Sequence, residues 1–142
     1  MKAGVKITGI REVQDDLKRI GRIAGREHLL PALYAGGAVV RDEMRRIVRK
    51  KSGDTADSIA VRPLKGPGNN EYFAAVRVGP VGAENNHVAR LLQDGHLRKN
   101  LRTGNVSHIP GYPFVDPAAD AKGDEAAAVI EAALLRDAGQ AA

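Results

Sequence analysis

The chain has 142 residues, no cysteine and a formal net charge of +5 at neutral pH. This length predicts one ordinary domain over residues 1–142, and a chain without cysteine has no disulfide framework or thiolate metal site. Hydrophobic residues make up 43% of the sequence but aromatic residues only 4%, so a core must be built mainly from Val, Ile, Leu and Ala.

The N-terminal residues carry charges early and lack the apolar centre of a signal peptide. No run of apolar residues approaches the length that spans a bilayer. The sequence therefore predicts a soluble cytoplasmic product that has no contact with a membrane.

Charge is distributed unevenly along the chain. Residues 41–51 hold six basic and two acidic side chains, and residues 96–108 hold three Arg or Lys and no acid. Residues 116–137 reverse the sign, with six acidic and two basic side chains. This pattern favours either contact with nucleic acid or head-to-tail association of copies, while a solvated charged surface is the alternative for each run.

The N-terminal part predicts two helices. In the first, apolar residues recur at three- and four-residue spacing and Thr8 is a candidate N-cap. These apolar residues are Ile10, Val13, Leu17 and Ile20. The second helix has an apolar face formed by Leu29, Leu33, Gly37, Val40, Met44 and Ile47. Pro31 is expected in its first turn, and Gly36 and Gly37 predict either a kink or the close approach of another backbone.

The middle of the chain predicts a β-hairpin. Residues 52–54 have turn chemistry, and Ile59 and Val61 alternate with polar neighbours as in a strand. Residues 65–70 form a loop, and a second alternating stretch runs from Tyr72 to Val78. Two such strands predict an antiparallel hairpin with a long loop.

The last third predicts a short helix over residues 86–94 that stops at Gly95, followed by a mobile basic loop over residues 97–107. Asp116 and Pro117 predict the N-cap and first turn of a final helix that reaches about Arg136, with a frayed tail over residues 138–142. The predicted fold class is therefore α+β: N-terminal helices, an antiparallel β-hairpin or small sheet, and a C-terminal helix packed against it.

The segment before the final helix, residues 108–118, holds three of the seven prolines and two of the five aromatic residues of the chain. Prolines restrict the backbone on both sides of Phe114, so this side chain is expected in the core beneath the hairpin. Tyr112 is expected to face a partner or a neighbouring copy.

No known catalytic motif occurs in the sequence, and the spacing of the four histidines matches no metal signature. His96 and His108 flank the predicted basic loop; the sequence favours two exposed polar loop histidines, with a meeting of the pair in space as the alternative. We predict that the chain is not an enzyme and uses no cofactor or metal. In the basic loop, Arg98, Lys99 and Arg102 are candidates for sequence-independent contact with DNA phosphates.

Several segments together resemble the tail-component family of long-tailed bacteriophages and prophages, whose members act in the neck or in tail completion. The family's Thr-Gly turn, with Leu two residues on and then Ser-Ile, is matched by Ser52-Gly53 and Ser58-Ile59, although Thr55 replaces the Leu. Its strand ending in Val-Gly is matched at Val78-Gly79.

The resemblance continues through the second half of the chain and covers Val5 to about Leu135. The family's short Tyr-Ala-x-x-x-Glu-x-Gly helix is matched at Ala89 and Gly95, but Val88 and Gln93 lie near the positions of its Tyr and Glu. Its Pro-x-Pro-Phe-x-x-Pro-Ala segment corresponds to Pro110, Pro113, Phe114, Pro117 and Ala118.

The resemblance implies a structural virion protein, assembled in the host cytoplasm, that forms a ring such as a hexamer or a dodecamer at the head–tail junction. Its implied partners are copies of itself, the head-closure or connector complex and the tail tube or tail-terminator protein, with non-specific contact to DNA in the channel. The alternatives are a tail terminator that caps the tube and a small basic DNA-binding protein that acts outside a particle.

Overall fold

The computed structural model describes residues 10–23, 25–50, 52–66 and 73–140. Within these residues the elements are, in chain order, α1 (Ile10–Ile23), α2 (Arg26–Ile47), α3 (Asp54–Ser58), β1 (Ile59–Pro63), β2 (Val76–Pro80), α4 (Ala83–Asp94), β3 (His96–Lys99), β4 (Val106–Ile109) and α5 (Val115–Gln140). The strands form two separate antiparallel pairs, β1–β2 and β3–β4. The predicted α+β class, with a C-terminal helix packed on the rest, is confirmed.

The central contact of the fold joins α2 to α5. Small residues line both helices where they meet, and α5 buries Ala118, Ala126 and Ala133 at seven- and eight-residue spacing. A Cβ added to Gly36 would lie 2.5 Å from Ile130 Cγ1 and 2.9 Å from the carbonyl oxygen of Ala126. Of the two interpretations of the paired glycines, the structure therefore supports the close approach of another backbone.

The start of α2 differs from the prediction. The helix begins at Arg26, because the extended backbone of Gly25 (φ −67°, ψ 148°) lets its carbonyl accept hydrogen bonds from His28 N and Leu29 N. Pro31 therefore lies inside the helix rather than in its first turn, so the prediction for Pro31 is wrong.

The first hairpin packs on α2, which covers one face of the small sheet. Val61 of β1 lies opposite Val78 of β2, and Ile59 opposite Pro80. The second strand begins at Val76, later than predicted, while Tyr72 lies outside the described residues. The hairpin is thus confirmed, although it is shorter than the alternating sequence pattern.

A compact group of buried side chains lies where α2, β1, α4 and the start of α5 meet. Its members are Met44, Val48, Ala56, Ile59, Ala89, Phe114 and Ala118. Ile59 is 0% exposed and Phe114 is 1% exposed, and they are the largest fully enclosed side chains among those described. The predicted burial of Phe114 is confirmed.

The chain leading into α5 is held by the end of α4. Gln93 Oε1 accepts hydrogen bonds from Phe114 N at 2.9 Å and from Val115 N at 3.3 Å. The carbonyl of Leu92 accepts a further bond from Tyr112 N at 2.6 Å. Because Gln93 satisfies the first free N–H groups, α5 begins at Val115, and Asp116 lies in its first turn instead of at the predicted N-cap.

Residues 97–107 were predicted as a mobile basic loop, but residues 97–99 and 106–107 belong to two strands. β3 and β4 pair with each other, with Leu97 opposite His108 and Lys99 opposite Val106. Asn100 fixes the connecting turn, since its Oδ1 accepts hydrogen bonds from Arg102 N at 2.9 Å and Thr103 N at 3.3 Å. The strands are short and almost entirely exposed, so they lack the apolar alternation that identifies a strand in a sequence.

Both terminal helices form, and the C-terminal one extends further than predicted. The frayed tail predicted from residue 138 is helical through Gln140, and residues 141–142 lie outside the described range. The first helix forms as α1, and Val13, Leu17 and Ile20 of its apolar stripe are 59%, 62% and 61% exposed. Thr8, its predicted cap, lies outside the described residues.

Replacing Phe114 with Ala should lower the free energy of unfolding by about 3–5 kcal/mol, because the buried ring leaves a cavity that its neighbours fill only partly. Urea denaturation measures the change. Leu101→Ala is the control, since this side chain is 95% exposed. A loss below about 1 kcal/mol for Phe114→Ala would show that the ring is not part of the core.

Gly36→Ala should destabilise the protein by about 1–3 kcal/mol despite the better helix propensity of Ala, because the new methyl group meets the backbone of α5. Gly123→Ala is a matched control in α5, where an added Cβ has no neighbour within 4 Å. The free energy of unfolding of the Gly123→Ala variant should rise by up to about 1 kcal/mol, from helix propensity alone. Equal shifts in the two thermal midpoints would contradict the close approach.

Gln93→Ala should lower the free energy of unfolding by about 1–3 kcal/mol, because two N–H groups at the start of α5 lose their acceptor. Gln93→Glu keeps an acceptor at a helix N-terminus and should remain close to the parent protein at neutral pH. Chemical denaturation of the pair separates the lost hydrogen bonds from a general effect of changing this position. Equal stability of the Ala variant and the parent would refute the role of Gln93.

Candidate nucleic-acid and partner interface

Much of the basic run over residues 41–51 is used within the fold. The guanidinium of Arg45 donates to the carbonyl of Ile59 at 2.8 and 3.1 Å. Arg46 donates to both carboxylate oxygens of Glu43, at 2.6 and 2.9 Å. The hydrogen bond from Arg46 lowers the pKa of Glu43 and raises the pKa of Arg46 itself. These contacts engage both arginines within the protein's own structure, although the Arg46 side chain remains 72% exposed.

The end of the same run has a different environment. The Arg49 guanidinium carbon lies 4.7 Å from the centroid of the Tyr112 ring, a cation–π contact that ties the end of α2 to the segment before α5. Arg49 and Lys50 are both exposed. Tyr112, which was expected to face a partner, is 50% exposed beside them.

A cleft of about 700 Å³ opens between the end of α2, α3, α4 and the second hairpin. Three cations line it: Arg49, Lys50 and Arg98. The hydroxyl groups of Ser52 and Thr55 lie on the same lining, along with apolar side chains that include Val88 and Leu92. Basic and hydroxyl groups around an apolar base suit a phosphate or carboxylate carried on a larger partner.

The three predicted DNA-contact residues lie on the second hairpin, and all are exposed. Because successive side chains of a strand point to opposite faces, Arg98 and Lys99 project on different sides, with Arg98 toward the cleft. Arg102 lies in the turn. None of the three makes an ion pair within the described part of the chain.

Sequence reasoning missed the grouping of Arg49 and Lys50 with Arg98. The signal was present in the basic run that ends at residue 51, but only the fold brings it beside the hairpin. The possible meeting of His96 and His108 does not occur, because the strand register places them on opposite faces. His96 Nδ1 is enclosed and has no hydrogen-bond partner among the described residues.

The residues that carried the family resemblance have structural positions around the core. Ile59, Ala89 and Phe114 belong to the core itself, and Gly79 lies in β2. Ser52 and Ser58 make local hydrogen bonds around α3, while Gly53 and Gly95 adopt positive φ angles of 96° and 78°. The prolines are exposed: Pro110, Pro113 and Pro117. Three residues of the family motifs thus belong to the core, and the others lie in the backbone segments around it.

A separate acidic surface lies on α5. Asp120, Asp124 and Glu131 are exposed and share one side of the helix. No ion pair holds any of them within the residues that the structure describes, whereas Glu125 pairs with Lys122. The opposite charges seen in the sequence therefore persist as two exposed surfaces on different elements. Across the described helices, none combines the length and apolar character needed to cross a bilayer.

Comparison with protein families gives one match. Residues 11–95, from the first turn of α1 to Gly95, match the family described as "Bacteriophage HK97-gp10, putative tail-component". No curated protein and no solved structure matches the chain. The matched range covers more than half of the sequence and includes the turn, strand and short-helix motifs. The chain therefore belongs to this family of bacteriophage tail components.

Proposed function

We propose that this tail component forms a ring at the head–tail junction, where it joins the head-closure or connector complex to the tail tube. The observation that carries the proposal is the pair of oppositely charged surfaces on one chain, the basic second hairpin and the acidic side of α5. A closed ring requires two different, complementary surfaces on every copy, since each interface joins one face to another.

Exposed apolar side chains add support for an assembly role. Val13, Leu17 and Ile20 form an uncovered stripe on α1, and Leu97, Leu101 and Val106 are exposed on the second hairpin. Large apolar side chains grouped on a surface are typical of contacts with other proteins. We therefore propose that the whole chain, residues 1–142, acts in the virion as one assembly domain, after folding in the host cytoplasm.

The basic cleft extends the proposal to DNA. Arg49, Lys50 and Arg98 line one opening, and Lys99 and Arg102 lie close by on the hairpin. In a ring around the channel, Arg49, Lys50 and Arg98 would contact phosphates without reading sequence, and the contact would weaken as salt increases. We propose that Arg98 faces this DNA.

Particles assembled without this protein test the location in the virion. Electron microscopy should show full heads separate from complete tails, because the joint between them is missing. A terminator role would instead give tails of uncontrolled length, since nothing would cap the tube. Normally joined particles without the protein would overturn the proposal.

Replacing Arg98, Lys99 and Arg102 together with Glu should reduce the yield of joined, DNA-filled particles by at least about tenfold, because like charges would meet at a ring contact or at DNA. The measurement is the count of joined particles by microscopy. The charge-matched control replaces Arg62, Arg77 and Arg90, which are exposed on other elements. Unchanged ring assembly and DNA retention in the first variant would exclude both roles for these residues.

A further inference from the structure

The second hairpin, residues 96–109, projects from the fold as an arm. Among the residues that the structure describes, its strands pair with each other and have no extensive contact with another helix or strand. Its base is fixed, because a Cβ on Gly95 would lie 2.5 Å from the carbonyl oxygen of Ile109. Its turn is fixed by Asn100, whose backbone N donates to Asn105 O at 2.8 Å. The arm is thus organised before any partner binds.

The outer face of the arm combines apolar and basic side chains. Leu97 and Val106 are 70% and 60% exposed, and strand alternation places Lys99 on the same face. Leu101 is 95% exposed at the tip, next to Arg102. An ordered turn that presents a leucine and two unpaired cations to solvent has the chemistry of an interface that is apolar at its centre and charged at its rim.

The solvent-facing side of α5 has the complementary chemistry. Asp120, Asp124 and Glu131 form its acidic side. Beside them, Ala121, Ala128 and Leu135 recur every seven residues, and Leu135 is 65% exposed. Small side chains on this strip permit a strand to approach closely, and Leu135 offers an apolar contact.

The dimensions of the two surfaces also agree. The rise of a helix places Asp120 and Glu131 about 16 Å apart along the axis of α5. A four-residue strand and its turn extend about 13–17 Å. The cations of the arm can therefore lie along the acidic side of α5 while Leu97 and Leu101 contact the alanine strip.

The apolar stripe of α1 is a poorer complement for the arm. Of the acidic side chains on α1, Asp16 is paired with Arg19 at 2.8 Å and Asp15 with Lys18 at 3.9 Å, which leaves Glu12 as the acid of α1 without a pair among the described residues. Docking there would cover Leu101 but would offer the cations of the arm fewer unpaired acids than the three on α5. Charge complementarity thus favours α5 over α1.

We propose that the arm of one copy docks on the outer side of α5 of a second copy, as the head-to-tail contact that builds the ring. The inference rests on the proposed ring and names its interface. Because the two surfaces differ, each copy donates its arm to one neighbour and receives an arm from the other.

Disulfide trapping tests this contact directly, since the chain has no native cysteine. Leu101→Cys and Ala128→Cys would be combined in one chain and produced in assembling particles. We expect a ladder of linked copies on a non-reducing gel, because each arm would lie against the next α5. The single variants should give no ladder. Particles that contain the double variant without linked copies would overturn the proposal, and so would equally strong linking when Leu17→Cys replaces Ala128→Cys.

Charge exchange gives an independent test of the same contact. Lys99→Glu with Arg102→Glu should prevent linking in the cysteine background, and so should Asp120→Lys with Asp124→Lys. All four changes in one chain should restore it, because both surfaces are then reversed. Failure of restoration, with the fold intact by circular dichroism, would contradict the pairing.

The two proposals fail in distinguishable ways. If the cysteine variant gives linked copies but particles made without the protein still join normally, the arm contact stands and the neck location is rejected. Separated heads and tails in the absence of the protein, with no linked copies in the cysteine variant, would retain the location and reject the arm contact.

Discussion

The fold depends on the close approach of α2 and α5, where Gly36 lies against Ile130 and the carbonyl of Ala126. A side chain at this position would hold the two helices apart, and Ala118 and Ala126 would lose part of their burial. The same packing positions Met44 and Val48 against Phe114 and closes the core at the start of α5. One steric constraint thus fixes both long helices and the group of side chains between their ends.

Hydrogen bonds beside this core also position the arm, residues 96–109. Gln93 holds the backbone of Phe114 and Val115, and Leu92 holds that of Tyr112. These bonds bring the end of β4 and the residues after it, Ile109 to Gly111, against Gly95 at the base of the arm. The direction of the arm is therefore set by the end of α4 and by the buried ring of Phe114. The segment 108–118, unusual in composition, mainly fixes geometry.

The charged side chains fall into two groups, those that are paired within the fold and those that remain available for assembly. Arg45 donates to the backbone and Arg46 pairs with Glu43 one turn earlier in α2, so these charges are already engaged within the fold. Arg98, Lys99 and Arg102 remain unpaired in the part of the chain described, as do the acids on the outer side of α5. For a tail component, this division is physically reasonable, because solvated charges of opposite sign guide the association of two surfaces.

The sequence by itself determined the element types with strong local signals: the apolar spacing of α1 and α2, the alternation around Val61 and Val78, and the glycine stop at Gly95. It also identified Phe114 as a core residue and the family through motifs spread along the chain. Only the tertiary structure decided that the α1 stripe is exposed, that residues 97–107 form an arm, and that Gln93 starts α5. Each depends on how elements distant in sequence pack against one another, and local periodicity carries no information about that packing.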